Sequence, residues 1–268
     1  MREVALVAGS VFKESVRDRV PYTLVLFAVL LIAASYLISQ LTAGQDVKII
    51  KDLGLAAISI IGLLIAIFIG IGLVSKEVER RSIYSLLAKP LSRTTFIIGK
   101  FAGLLLTLAA NVGAMTIAYY LMLAYMDWAT DPGLKKAWPA PAADPNLLIP
   151  ILLIAAELSV VTAIALFFSS FSSPLLAALL TLGIWIAGHF GSDLRDIGAV
   201  IDSPAAGGVA RAVYYILPNL SAFDVKGQVV HGDPVPLAQV GFAVTYGAVY
   251  VGALLAAAVA IFCRRDFK

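Results

Sequence analysis

The residue in this chain best placed for buried chemistry is Glu157. It stands ten residues into the otherwise uncharged run Leu147–Phe168. At about 1.5 Å per helical residue, its carboxyl lies roughly 15 Å along that run. A carboxyl in apolar surroundings is costly unless it is protonated or paired. It therefore marks either a polar element of a translocation path or a proton-sensitive site. Asn111 stands about ten residues into another apolar run, Phe101–Met126. If the two runs lie antiparallel, an Asn111–Glu157 hydrogen bond is within reach. The plainer reading of both residues is interhelical glue, and at this level the two readings stand side by side.

Other chemistries find no footing in the sequence. His189 and His231 are the only histidines, and neither has metal-ligand spacing to Cys263, the single cysteine. One cysteine also excludes an intrachain disulfide. No Ser/His/Asp arrangement and no His-Glu-x-x-His occurs. A phosphate-cradling Gly-x-x-x-x-Gly-Lys-Ser/Thr is missing too: Gly99-Lys100 is followed by Phe101, and Thr94 stands where the first glycine would be. No metal or cofactor is expected in this chain. No Lys/Arg block is long enough for a nucleic-acid arm.

The elements that position Glu157 and Asn111 follow from composition. Of 268 residues, 60% are hydrophobic and 14% charged, too apolar for a soluble fold of this size to cover its own surface. The expected fold is an all-α integral membrane protein. A spanning helix needs about 20 apolar residues, and six segments qualify: Pro21–Leu41, Leu53–Val74, Phe101–Met126, Leu147–Phe168, Pro174–Phe190 and Leu237–Phe262. The fifth is the shortest. Pro21 and Pro174 suit first-turn positions, and Ser173 suits an N-cap. The first run is too long for a cleavable leader and lacks a small-x-small site, so it is expected to stay as a signal anchor.

Orientation follows from the cations. Thirteen of the 20 Lys and Arg fall in the N-terminus, the loop between the second and third spans, and the C-terminus; seven fall on the other side. The richer side is expected to be cytoplasmic, with both termini there, in a multi-pass protein of the cell membrane. Residues 1–20 place Val4, Val7, Ala8, Val11 and Phe12 on one face and most cations off it. They read as an in-plane amphipathic helix on membrane lipid, or more blandly as a frayed basic tail. Asp127–Asn146 reads as an irregular loop and Ser169–Ser173 as a tight turn. In the long external segment 191–236, Pro204–Leu217 reads as a short amphipathic helix through Val209, Val213, Ile216 and Leu217.

The loop over residues 75–100 is the most structured of the connections. Glu77–Lys89 consists of good helix formers and stops at Pro90. Val78, Ile83, Leu86 and Leu87 give it an apolar side; Glu77, Glu79, Arg80 and Arg81 give it a charged one. Ser92 is a candidate N-cap for a second helix running into the third span. Such a hairpin presents a surface for a cytoplasmic partner, the alternative being a helix flat on the inner leaflet. Gly99-x-x-x-Gly103, with Gly70 and Gly72, permits close backbone approach, more often inside one chain than at a dimer seam.

The run Glu77-x-Glu79-x-x-Ser82-Ile83-x-x-Leu86-Leu87-x-Lys89-Pro90-x-Ser92-Arg93, followed by Phe96 and Gly99-Lys100-Phe101-x-Gly103, resembles the loop of ABC-2 type ABC transporter permeases. It is closest to the NosY-like branch associated with multi-copper-enzyme maturation. The N-terminal helix resembles that family's elbow helix. Tyr215-Ile-Leu-Pro-Asn219-Leu-x-x-Phe223-Asp224 and Arg264-Arg-Asp-Phe267 resemble further family segments. Arg81-Ser82 stands where many members have Gly-Thr.

The resemblance implies one transmembrane domain over residues 1–268 with a coupling helix between spans two and three. That helix docks on an ABC ATP-binding subunit, and its contact candidates are Glu77, Glu79, Arg80, Arg81, Tyr84 and Leu87. Six spans resemble a half-transporter that pairs with a second copy or a paralogue. The chain itself is then not an enzyme. The rival readings are a stand-alone secondary transporter or channel, for which Glu157 is the lone intramembrane charge, and a membrane anchor for a cytoplasmic complex.

Overall fold

A computed structural model describes residues 2–40, 46–79, 92–136, 138, 140–190 and 217–264, with side chains at all of these except 46, 73–79, 263 and 264. Among the described residues there are helices and connections but no strands. The helices are α1 (Arg2–Arg17), α2 (Arg19–Ser39), α3 (Asp46–Glu79), α4 (Arg93–Ala129), α5 (Pro132–Lys135), α6 (Leu148–Ser169), α7 (Pro174–His189), α8 (Lys226–His231) and α9 (Leu237–Arg264). Short 3-10 turns cover Pro145–Leu147 and Leu220–Phe223.

Five helices are long and apolar enough to cross a membrane: α2, α3, α4, α6 with the turn before it, and α9. Among the described residues, the sixth expected span, Pro174–Phe190, falls short of that length. α7 is apolar but has only 16 residues, about 24 Å of helix against about 30 Å of hydrocarbon. Its start is fixed by the turn at Ser170–Ser173 and by Pro174 at its first position. Ser173 occupies the N-cap position but makes no capping hydrogen bond. The cap at Ser92 is formed as expected, Oγ accepting from the Thr95 N–H at 3.1 Å. Asp18 caps α2 in the same way through Val20 N, at 3.3 Å.

The bundle is layered by burial. In their apolar windows α3 and α6 are 72% and 67% buried, against 22% for α2 and 11% for α9. The two central helices meet through small residues. A Cβ at Gly62 would come within 2.5 Å of Leu158, and one at Gly70 within 2.8 Å of the Ala165 Cβ. Gly54 sits under the Tyr119 ring of α4 in the same manner. Glycines 54, 62 and 70 thus admit α4 and α6 to close approach on α3, the main source of helix association where no water is expelled. Gly72 has nothing within 4 Å of its Cβ direction, so it takes no part in this seam.

α1 lies against α4 rather than apart from the bundle. Ala8 and Val11 are buried, and Val4, Val7 and Phe12 are half-buried, so the face read from the sequence is the packed one. It is received by Gly99 and Gly103, where a Cβ would meet Val7 at 2.7 Å and Val11 at 2.6 Å. The Gly-x-x-x-Gly pair thus serves packing within the chain.

The far end holds a polar cap that the sequence placed in a loop. α3 starts at Asp46, seven residues before Leu53, and brings Lys51 inside at 1% exposure. The ammonium donates to the Pro141 carbonyl at 2.8 Å, with Asp144 within electrostatic reach. Tyr119 donates its hydroxyl to the Lys51 carbonyl, and Tyr120 donates to that of Asp144, at 3.2 and 3.0 Å. A buried charge persists when it is paired and hydrogen-bonded. This is why charged residues there continue a helix instead of ending it. Part of the expected irregular loop is ordered as well, by α5 and by Pro145–Leu147, both capped by aspartates.

Candidate functional site

Glu157 is 2% exposed, and its partners come from α7. The Trp185 indole N–H donates to Glu157 Oε1 at 2.7 Å, and His189 Nε2 lies 3.5 Å from the same oxygen. The Trp185 and His189 rings are 4.6 Å apart. His189 Nδ1 is 3.1 Å from the Trp185 carbonyl, which can only accept, so that nitrogen carries a proton. Nε2 then faces Oε1 favourably only with a second proton between them, on either side. Lys226 and Asp224, 3.7 Å from each other, also act electrostatically on Glu157 from the segment before α9.

The segment 217–231 closes over the cluster. Leu220 and Phe223 are buried. Gly188 of α7 leaves only 2.7 Å between its Cβ direction and the Pro218 carbonyl, and Gly247 of α9 leaves 3.1 Å to the Phe223 ring. The Asn219 N–H donates to the Tyr246 hydroxyl at 2.8 Å, while Asn219 Oδ1 accepts from Ser221 at 2.6 Å. The stretch Pro218–Asp224 is therefore a wedge joining α6, α7 and α9. Pro204–Ile216 of the expected amphipathic helix lies outside the described residues.

Asn111 does not reach Glu157. Its Nδ2 donates to the Thr107 carbonyl on its own helix at 2.7 Å, and its side chain lines a groove against α1 and α2. Trp185 and His189 are the residues the sequence reasoning missed. The signal was present in the tight turn: Glu157 and Trp185 are equidistant from Phe171 at its middle, so an antiparallel hairpin brings them level.

Of the loop residues, Glu77 and Glu79 fall in the last turn of α3, with their side chains outside the description. Arg80, Arg81, Tyr84 and Leu87 lie outside the described residues, as does the expected helix past Glu79. The flank of the loop is ordered. Arg93 donates from Nη1 to the Phe262 carbonyl of α9 at 3.1 Å, a cation placed on the negative end of a helix. The Phe96 and Phe262 rings stack at 5.9 Å, and the Lys100 ammonium sits 4.6 Å over Phe96. With Val11, Ile97, Leu104 and Leu166 they form a second apolar core that joins α1, α4, α6 and α9. Among the described residues, no three His, Cys, Asp or Glu side chains come together as metal ligands would.

These features define a multi-pass, all-helical membrane protein whose charges gather at its two ends and at one buried centre. Compared with known families, residues 6–267 match the family described as ABC-2 family transporter protein, and the chain belongs to that family. It is a permease component, the membrane-embedded part of an ABC transporter. No curated protein matches the chain.

Proposed function

We propose that this permease is one half of a transporter driven by a separate ABC ATP-binding subunit that docks on residues 75–100. The observation that carries this reading is the reach of α3 and α4 at the end of the bundle that holds α1. α3 continues five residues past its apolar run at Val74, about 7.5 Å, and ends at Glu79. α4 begins at Arg93, eight residues before the apolar run at Phe101. The two helices carry the chain out to Glu79 and back from Arg93. The returning helix is fastened to α9 by Arg93 and Phe96 and to α1 by Gly99 and Gly103. A push on the intervening segment is then delivered to several helices at once, and a rigid-body switch of the pathway needs such a linkage.

In this reading Glu77, Glu79, Arg80, Arg81, Tyr84 and Leu87 meet the ATPase, which holds ATP and Mg. α7 crosses as a short sixth helix, so both termini lie in the cytoplasm, with α1 as an in-plane elbow. A second copy or a paralogue completes the pathway. The deciding experiment is co-purification of the permease with its ATP-binding partner from the native membrane. Reversing the charges at Glu77, Glu79, Arg80 and Arg81 should release the partner and abolish ATP-dependent transport. A permease that keeps its partner after that reversal, or that transports alone in vesicles without ATP, refutes the proposal.

A further inference from the structure

α7 ends beside the middle of α6. Trp185 and His189, in its last two turns, meet Glu157, and α6 extends beyond that level through Leu148 to Ala156, about 13.5 Å of helix. The space past the end of α7 is taken by Pro218–Asp224. A Cβ at Gly188 would lie 2.7 Å from the Pro218 carbonyl and 2.9 Å from the Leu220 side chain. The 3-10 turn Leu220–Phe223 packs on α6, α7 and α9. Backbone of this kind is tolerated beside a membrane-spanning helix where protein covers it.

α7 is also lightly held. Of its 16 residues, Ala177, Thr181 and Gly188 are the buried ones, while Leu175, Leu179 and Ile186 are exposed. Such small side chains remove little apolar area on packing. The polar contacts at Glu157 therefore carry much of the attachment at the C-terminal end of α7.

Those contacts depend on pH in different ways. The Trp185 indole donates to Glu157 whether or not the imidazole is charged. His189 Nδ1 is engaged by the Trp185 carbonyl, so Nε2 donates to Glu157 Oε1 only when the ring is doubly protonated, and accepts only when the carboxyl holds the proton. Once that proton leaves, a carboxylate oxygen faces a ring lone pair at 3.5 Å, and the buried carboxylate has lost its counter-ion. The imidazole side chain is 22% exposed against 2% for the carboxylate, so it is the reachable partner. Among the described residues, the other charges acting on Glu157 are Lys226 and Asp224, opposite in sign and 3.7 Å apart, and α3, α4 and α9 add none. The contact is thus strong below the pH at which the proton leaves and weak above it.

We propose that the Glu157–His189 pair is a pH-sensitive catch for α7. The C-terminal end of α7 is seated on α6 while a proton lies between the two facing atoms, and it loosens when that proton is lost. The catch stands apart from the ATPase-docking reading, since it lies within α6 and α7.

The test is hydrogen-exchange mass spectrometry of the full-length permease in detergent micelles from about pH 6 to about pH 9, across the usual histidine range and above it. Each rate is divided by the intrinsic exchange rate at that pH. Protection over residues 182–189 should fall about tenfold across this window, the size of one charge-assisted hydrogen bond, while protection of α4 stays level. His189→Gln supplies an N–H donor that does not titrate, so the fall should vanish. Glu157→Gln should remove it too, because the amide can donate to the unprotonated ring. His231→Gln, which replaces the other histidine, should leave the fall intact. A level profile in the wild-type protein overturns the proposal, as does a full fall that persists in either His189→Gln or Glu157→Gln. An equal fall in α4, or a fall that disappears in His231→Gln, overturns it as well.

Discussion

Replacing Trp185 by Phe tests whether Glu157 is held by a charge-bearing hydrogen bond. The indole N–H lies 2.7 Å from Glu157 Oε1, and Phe keeps the aromatic body while removing the donor. A hydrogen bond to a charged group contributes about 1.5–3 kcal/mol. A neutral one between membrane helices averages about 0.6 kcal/mol. Phe also leaves a small void and alters the contact with His189, a cost that is separate from the bond. A double-mutant cycle with Glu157→Gln removes that shared cost, because Gln keeps an acceptor oxygen and loses the charge. W185F should therefore cost about 1–2 kcal/mol more in the wild type than in E157Q, with both read by reversible SDS unfolding in mixed micelles. Equal costs in the two backgrounds would refute the reasoning. The carboxyl would then bring no charge to the bond, and His189 would not be its counter-ion.

Two further substitutions test the ends of the bundle. Gly103→Ala drives a methyl to 2.6 Å from Val11 Cβ, so it should loosen α1 at a cost of about 1–3 kcal/mol, seen as faster proteolysis within residues 2–17. Gly113→Ala, with open space around it, should be neutral or slightly stabilising. Lys51→Met strands the Pro141 carbonyl, which now accepts at 2.8 Å. It should cost about 1–3 kcal/mol and speed hydrogen exchange over residues 140–147, and an unchanged exchange pattern there counts against the polar cap.

The apolar runs were legible because crossing hydrocarbon demands uninterrupted length, and the helices fall within a few residues of Leu147–Phe168, Pro174–Phe190 and Leu237–Phe262. The Ser92 cap was legible because it depends on local spacing. Lys51 was not: charges near a helix start read as loop unless one knows that a carbonyl ninety residues away receives the ammonium. Asn111 and Glu157 were picked out as polar within spans, but a list of depths does not fix helix rotation. Rotation is set by Gly62 against Leu158 and Gly70 against Ala165, and it turns Glu157 toward α7 and leaves Asn111 to its own backbone.

The hairpin of α6 and α7 also has a history in time. Glu157 leaves the ribosome 28 residues ahead of Trp185, which at about 5–20 residues per second is roughly 1.5–6 s. During that interval the carboxyl meets the insertion machinery with no indole or imidazole to receive it. A charged side chain at mid-helix opposes insertion by about 2.5–3.5 kcal/mol. The mostly apolar residues on both sides of Glu157, broken by Ser159 and Thr162, must outweigh this until its partners arrive. The apolar excess of α6 is thus a requirement of biogenesis as well as of packing, and a polar substitution in it would fail first as a missing protein.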